Sequence, residues 1–230
     1  MKKLFMLMGI MASLLFIRTV NAEMTSFSDV GLYSAYVSGR KGNVNYDNAV
    51  IQGDCGVNFS SVSTGLWFSK GLDKFNHNCG DEIDSFLIKK YHYQDFRFKI
   101  SLAYFLIYNL EKSKDDVLSW EIDGSYEKKL FPYVNLSAEY PVNGTDGAIM
   151  WRVGICPKFF NEKLGVDFSL AGHDGAYNHN AYLLASGKTR IFWTCKFPKF
   201  LMTPEINFQK VLSNDKVAQN KIWGGINFSR

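Results

Sequence analysis

The chain has 230 residues, 47% hydrophobic and 16% aromatic, enough for one β domain of ordinary size. Three of its 26 basic residues lie in a removable leader, which leaves 23 basic residues against 22 acidic ones in the mature chain. This near-neutral balance excludes nucleic acid and other polyanions as expected partners.

Residues 1–22 have the composition of a secretory signal peptide. Lys2 and Lys3 form the charged start, residues 4–17 form the apolar stretch, and Ala22 ends the small-residue cleavage pattern. The apolar stretch is shorter than the roughly 20 residues that a spanning helix needs. The leader predicts export, with residues 23–230 as a single mature domain.

Twelve strand-like runs follow the leader, most of them near the roughly 9–11 residues that a tilted membrane strand needs. Alternation is clear in the fifth run, where Phe96, Phe98 and Ile100 share one face and Arg97 and Lys99 take the other. The predicted strands cover residues 30–39, 49–59, 62–69, 82–93, 96–108, 116–127, 131–140, 148–157, 164–172, 189–197, 201–211 and 220–229. The run 177–186 is a candidate for a thirteenth strand.

The connections between these runs alternate between short and long. The short ones lie at 60–61, 94–95, 128–130, 158–162 and 198–200, and the longer, more polar ones at 40–48, 70–81, 111–114, 141–146, 173–188 and 213–220. Outer-membrane barrels have this alternation, because their short turns face the periplasm and their longer loops face outside. Only helices and closed barrels satisfy every backbone group in lipid.

Aromatic residues flank the short turns, as expected for a girdle at one membrane interface. They are Phe59, Tyr93, Phe96, Tyr126, Phe131, Phe159, Phe160, Phe197, Phe200 and Phe228. We therefore predict an all-β fold, a closed up-and-down antiparallel transmembrane β-barrel of about 12 strands in the bacterial outer membrane, with both termini in the periplasm.

Three stretches of the mature chain resemble the TorF family of porins of Gram-negative bacteria. The first comprises residues 31–40 (GLYSAYVSGR), 52–53 (QG) and 65–69 (GLWFS), the second 80–84 (GDEID), and the third 201–208 (LMTPEINF) and 222–228 (IWGGINF). The resemblance implies a β-barrel with a channel role and no catalytic motif. One departure is that Ser229 and Arg230 follow Phe228, whereas such barrels commonly end on an aromatic residue read by the insertion machinery.

The charged residues opposite the apolar face are the candidate pore-lining residues. They are Arg97, Lys99, Glu121, Asp123, Glu127, Glu139, Arg152, Asp167, Lys196, Glu205 and Lys221. Folding the fifth and sixth strands about their loop places Arg97 nearly opposite Glu127, and Lys99 near Asp123. The near balance of sign, with Asp54 counted, predicts weak charge selectivity and much internal pairing.

The same residues could form a salt-bridged filling that closes the lumen. A barrel of this size lies between eight-stranded barrels filled with side chains and sixteen-stranded porins with a wide channel. The first hypothesis is a narrow channel for passive diffusion of small polar solutes. The alternatives are a plugged structural barrel and an adhesin-like surface-interaction barrel that acts through its outer loops, 70–81 and 173–188.

A lipid-modifying barrel enzyme is the remaining alternative. It needs a nucleophile beside His92 or His173, and no serine partner for either is recognisable in the sequence. We therefore predict no enzyme and no cofactor. The expected partners are outer-membrane lipid and lipopolysaccharide, small polar solutes and the barrel-insertion machinery.

Four cysteines give an even count, which in an exported chain suggests disulfides. Cys55, Cys156 and Cys195 fall in different strand runs and Cys79 in a loop, and the strand pattern turns Cys55 and Cys195 toward lipid but Cys156 inward. A bridge needs Cα atoms within about 7 Å, so we predict no obligatory disulfide. The histidine spacing matches no strong zinc pattern, so no metal is expected.

Overall fold

Sixteen strands make up the regular structure in the computed structural model, which describes residues 24–37, 44–72, 82–107, 116–128, 130–142, 147–175, 180–214 and 218–230. In chain order they are β1 (Met24–Tyr33), β2 (Tyr36–Val37), β3 (Val44–Tyr46), β4 (Val50–Phe59), β5 (Val62–Gly71), β6 (Glu82–Tyr93), β7 (Phe96–Ile107), β8 (Val117–Tyr126), β9 (Pro132–Pro141), β10 (Ala148–Ile155), β11 (Lys158–Phe159), β12 (Leu164–His173), β13 (Tyr182–Trp193), β14 (Cys195–Lys196), β15 (Leu201–Val211) and β16 (Lys221–Ser229). Within these ranges no helix is long and apolar enough to cross a membrane.

The twelve long strands form a closed antiparallel ring. Each pairs with the long strands before and after it in the chain, β10 pairs with β12 across the short β11, and β1 pairs with both β4 and β16. No long strand in the described ranges keeps a free edge, which removes the unpaired backbone groups that lipid does not tolerate. The predicted all-β, closed up-and-down barrel of 12 strands is confirmed.

Two predicted strands were wrong in position. The first, predicted at 30–39, runs from Met24 to Tyr33, because Met24 already pairs with Phe59 at the end of β4. The tenth, predicted at 189–197, is β13 and begins at Tyr182. An irregularity in the pairing between Ala171 and His173 lets Tyr182 pair with His173, so residues 182–186 form the start of β13 and not a thirteenth strand.

Connections are short at one end of the barrel, the short-turn end, and long at the other, the long-loop end. At the short-turn end a hydrogen bond links the β6–β7 and β8–β9 turns: Lys128 Nζ donates to Asp95 Oδ2 at 2.5 Å. This hydrogen bond raises the pKa of Lys128 above its ordinary value. The two termini also meet here, because Arg230 N–H donates to Ser28 O at 2.9 Å.

The outward face of the ring is apolar. Large apolar side chains face outward and stay exposed on most of the long strands, including every one from β6 to β10. They include Val30, Leu32, Leu66, Ile83, Phe98, Leu106, Ile122, Val134, Leu136, Ile149, Val153, Phe168, Leu170, Ile191, Ile206, Phe208, Ile222 and Ile226. Soluble proteins rarely expose apolar patches larger than a few hundred Å², so a continuous apolar belt fits a lipid environment.

Aromatic rings cluster at the short-turn end of this belt. The ring centres of Phe96 and Tyr126 lie 4.9 Å apart, and those of Phe197 and Phe200 lie 4.7 Å apart. Phe200 also contacts Phe228 near the chain end at 6.1 Å. The rim of short turns is therefore the rim that carries the aromatic girdle.

Aromatic rings inside the barrel cover glycines on neighbouring strands. A Cβ at Gly165 would lie 2.1 Å from the ring of Phe192, and one at Gly225 would lie 2.1 Å from the ring of Tyr33. Each ring thus occupies the space that a side chain would take on the adjacent strand. Such pairs fix the strand register, because a shift would place the ring against a side chain.

Candidate channel interior

Ten of the eleven predicted pore-lining residues lie on the inward side of the long strands. They are Arg97, Lys99, Glu121, Asp123, Glu127, Glu139, Arg152, Asp167, Glu205 and Lys221, with Glu127 just beyond the end of β8. Lys196 lies in the short β14, which continues the register of β13 against β15; there it pairs with Leu201 at the short-turn end and is exposed. Whether the ten line a conducting path stays a prediction.

One inner wall is an ion-pair network across β7 and β8. Lys99 Nζ lies 2.8 Å from Asp123 Oδ2 and 3.5 Å from Glu121 Oε1. Arg97 Nε lies 2.7 Å from Glu127 Oε1, one diagonal step from its direct register partner. The pairs expected from folding these strands are therefore present.

The network extends to neighbouring strands on both sides. Asn135 on β9 donates from Nδ2 to Asp123 Oδ1 at 2.7 Å. His92 on β6 has its Nε2 3.6 Å from Glu127 Oε2, so the histidine belongs to the edge of this network. Opposite charges on adjacent strands stabilise a sheet modestly, each pair by roughly 0.2–1 kcal/mol.

A second network lies on β13 and β15. Arg190 Nε donates to Glu205 Oε2 at 2.8 Å, and Asn207 Nδ2 donates to Glu205 Oε1 at 2.8 Å. Nearby, Tyr133 OH donates to Asp167 Oδ1 at 2.9 Å. Arg190 was not among the predicted pore-lining residues, although it lies an even number of positions from Lys196, which puts both on the same face of the predicted strand.

The segment that follows β1 packs against the inner wall near the long-loop end. Tyr36 OH donates to Glu82 Oε2 at 2.7 Å, and the Tyr36 ring lies 5.7 Å from that of Trp67. Burial, followed by the charge of Glu82, raises the pKa of Tyr36 well above its ordinary value, so the phenol remains a donor. Lys221 on β16 pairs with Asp47, just after β3.

β2, β3 and Asp47 belong to the part of the chain for which the sequence predicted the end of the first strand and a loop at 40–48. Ala35 and Tyr46 in this segment are buried. Residues 34–37 and 44–47 therefore narrow the barrel at its long-loop end.

Along β7, β8 and β9 the exposure of the inward side chains falls from the short-turn end to the long-loop end. The Arg97 side chain is 63% exposed, Lys99 37% and Glu121 13%, whereas Glu139 is 2% exposed. Met150 near the start of β10 and Asn207 midway along β15 are also buried. On this side the described interior is thus open to water at the short-turn end and packed toward the long-loop end.

Within the described ranges, no cluster of three or more His, Cys, Asp or Glu side chains could hold a metal ion. His173 is buried, and its Nδ1 accepts a hydrogen bond from Gly175 N–H at 3.2 Å. Cys55, Cys156 and Cys195 are free, and Cys55 is exposed on the outward side as its alternation predicted. His77, His179 and Cys79 lie outside the described residues.

No protein-family model matches the chain, and no curated protein matches it. Solved porins are similar in fold. The NanC porin has a TM-score of 0.53 at 8% identity, with 89% of this chain and 98% of that chain covered. The KdgM porin in complex with disordered oligogalacturonate has a TM-score of 0.51 at 6% identity, with the same coverage. At such low identity the likeness concerns the fold alone.

Proposed function

We propose that the chain forms a narrow outer-membrane channel for passive diffusion of small polar solutes. The observation that carries the proposal is the inverted arrangement of the barrel, apolar outside and charged inside, with water-accessible ion pairs at the short-turn end. Membrane barrels have a polar lumen and an apolar outer band, whereas soluble barrels reverse this arrangement. The channel needs no catalytic group and no cofactor.

The similarity in fold to two porins supports this proposal, and one of them was solved with an oligosaccharide. The resemblance of residues 31–40 and 201–208 to the TorF family points in the same direction. In this proposal the leader is removed on export, the insertion machinery closes the barrel, and lipid and lipopolysaccharide surround it. The short-turn end then faces the periplasm and the long-loop end faces outside.

A second candidate is a closed barrel that serves as a surface-interaction protein. The burial of Glu139, Met150 and Asn207 toward the long-loop end favours it, because a packed interior blocks passage. Its binding would reside in the outer loops and not in the lumen.

Planar-bilayer recording separates the two candidates. Purified protein refolded in detergent and added to a bilayer should give discrete conductance steps if the lumen conducts. A heat-modifiable gel shift on the same sample provides the control that the barrel is closed. Folded protein that gives no steps over a range of voltages removes the channel and leaves the surface-interaction barrel.

A further inference from the structure

Two inward cations lie on either side of β12. Arg152 on β10 pairs in register with Ala171 of β12, and Lys188 on β13 pairs with Ser169. Among the described residues Arg152 has no ion pair, and its buried Nε has no hydrogen-bond partner. Lys188 also lacks an ion pair there, and its Nζ lies 4.8 Å from the ring centre of Trp223.

Two other cations on the same inner surface have counter-charges. Lys99 lies 2.8 Å from Asp123, and Arg190 hydrogen-bonds Glu205 at 2.8 Å. A charge taken out of water is costly unless a partner offsets the loss. Arg152 therefore stands out, because its buried Nε has no hydrogen-bond partner among the described residues.

The carboxylates nearest to this pair already have donors. Asp167 accepts a hydrogen bond from Tyr133, and Glu205 is held by Arg190. The charge of Arg190 also acts on Lys188, as does that of Arg152, and both repel its ammonium. The charge of Glu121 on β8 acts on Arg152 as well, but Glu121 already lies 3.5 Å from Lys99. Each of these three carboxylates therefore has another partner.

The surface between the two cations is made of small side chains. Ser169 and Ala171 face inward on β12 and are 7% and 6% exposed. Neighbouring strands lie roughly 4.8 Å apart, so the backbones of β10 and β13 are separated by about 10 Å. The long side chains of Arg152 and Lys188 reach over the small ones from both sides.

We propose that Arg152 and Lys188 form a binding site for the carboxylate or phosphate group of a small anionic solute inside the barrel. A guanidinium and an ammonium bind such oxyanions through charge-assisted hydrogen bonds. The site rests on the proposed channel, because a solute would meet it while crossing the lumen. It gives a nearly neutral interior a local preference for anions.

Titration of the refolded full mature chain with inorganic phosphate, and separately with acetate, tests the site without requiring transport. Tryptophan fluorescence is a suitable readout because Trp223 lies against Lys188. We expect saturable binding of at least one anion in the unaltered protein. Arg152→Gln and Lys188→Gln should each weaken it about 10-fold, since each variant removes a charge-assisted hydrogen bond to the anion.

Lys90→Gln is the matched control, because Lys90 is an inward, exposed lysine on β6, across the ring from β13. It removes the same charge and should leave the affinity unchanged. Lys188→Arg should retain binding. Saturable binding without conductance steps keeps the site and removes the channel. Conductance steps with no saturable binding of either anion, or equal affinities in unaltered protein and the Arg152→Gln and Lys188→Gln variants, overturn the site.

Discussion

Lys99 and Asp123 face each other directly across β7 and β8, with 2.8 Å between Nζ and Oδ2. The second oxygen of the same carboxylate accepts the amide of Asn135 on β9. One carboxylate therefore joins three consecutive strands. Both members of the ion pair are about one-third exposed, so water competes with their attraction.

Asp123→Asn should lower the free energy of unfolding by only about 0.5–1 kcal/mol, because the partly exposed ion pair is screened by water. Urea unfolding in phospholipid vesicles, followed by tryptophan fluorescence, measures the loss. Lys99→Met and the double variant complete a double-mutant cycle. A coupling energy above about 3 kcal/mol would contradict the screened pair and indicate a buried one.

Arg190→Met should be more damaging, by about 2–3 kcal/mol of unfolding free energy, because Glu205 is 8% exposed and would lose its ion-pair partner. Glu205 would keep the hydrogen bond from Asn207 and the more distant charge of Lys188. The same urea assay checks this. Replacing Glu205 with Gln in the Arg190→Met background should restore part of the loss, since no unpaired charge then remains. Equal stability of the single and double variants would argue against a charge penalty.

Gly165→Ala and Gly225→Ala should each destabilise the barrel by roughly 1–3 kcal/mol, because the added Cβ overlaps the ring of Phe192 or Tyr33. Gly124→Ala is the control, since its nearest neighbour, Val134, would lie at an ordinary 3.4 Å. The temperature at which the folded band disappears on a gel without prior boiling is the measurement. If Gly124→Ala melts at the same reduced temperature, overlap is not the cause.

Labelling of introduced cysteines should follow the exposure gradient of the interior. In a background without native cysteines, Arg97→Cys should react rapidly with a water-soluble maleimide, because the Arg97 side chain is 63% exposed. Glu139→Cys should react much more slowly, because Glu139 is 2% exposed. Mass spectrometry gives both rates. Comparable rates at the two positions would show that water fills the whole interior.

Tyr36→Ala should raise single-channel conductance, since Tyr36 occupies the long-loop end beside Trp67 and holds Glu82. Tyr36→Phe keeps the ring and loses one hydrogen bond of about 1 kcal/mol, so its conductance should stay near that of the unaltered protein. A conductance unchanged in Tyr36→Ala would mean that the narrowest point lies elsewhere.

Much of the barrel could be predicted because strand alternation and turn spacing are local. Phe96–Ile100 and their neighbours alternate over the whole of β7, and the two-residue turn at 94–95 fixes how β6 and β7 pair. The Arg97–Glu127 pair was predicted in the same way, by folding β7 and β8 about the loop between them. The start of β13 could not be found in this way, because it depends on a pairing irregularity at His173 in the adjacent strand.

The interior was less predictable because it depends on contacts between distant parts of the chain. The predicted set of inward charges left Lys188 out, because the strand was expected to begin at residue 189. It also could not show that, of Lys188 and Lys99, only Lys99 has a carboxylate within ion-pair distance among the described residues. The packing of Tyr36 against Trp67 and Glu82 likewise joins segments separated by 46 residues. Neither the ion pairing nor this packing can be predicted from the alternation of side chains along a strand.

The seam between β1 and β16 has a consequence for assembly. Its five register pairs join Asp29–Tyr33 of β1 to Gly225–Ser229 of β16. One side of the first strand therefore stays unpaired until the last strand has formed. Until then β1 and β15 each present an unpaired edge, on a sheet whose outer face is already apolar. Such edges template aggregation and slow folding. An unsealed sheet is therefore exposed to aggregation until its last strand has paired.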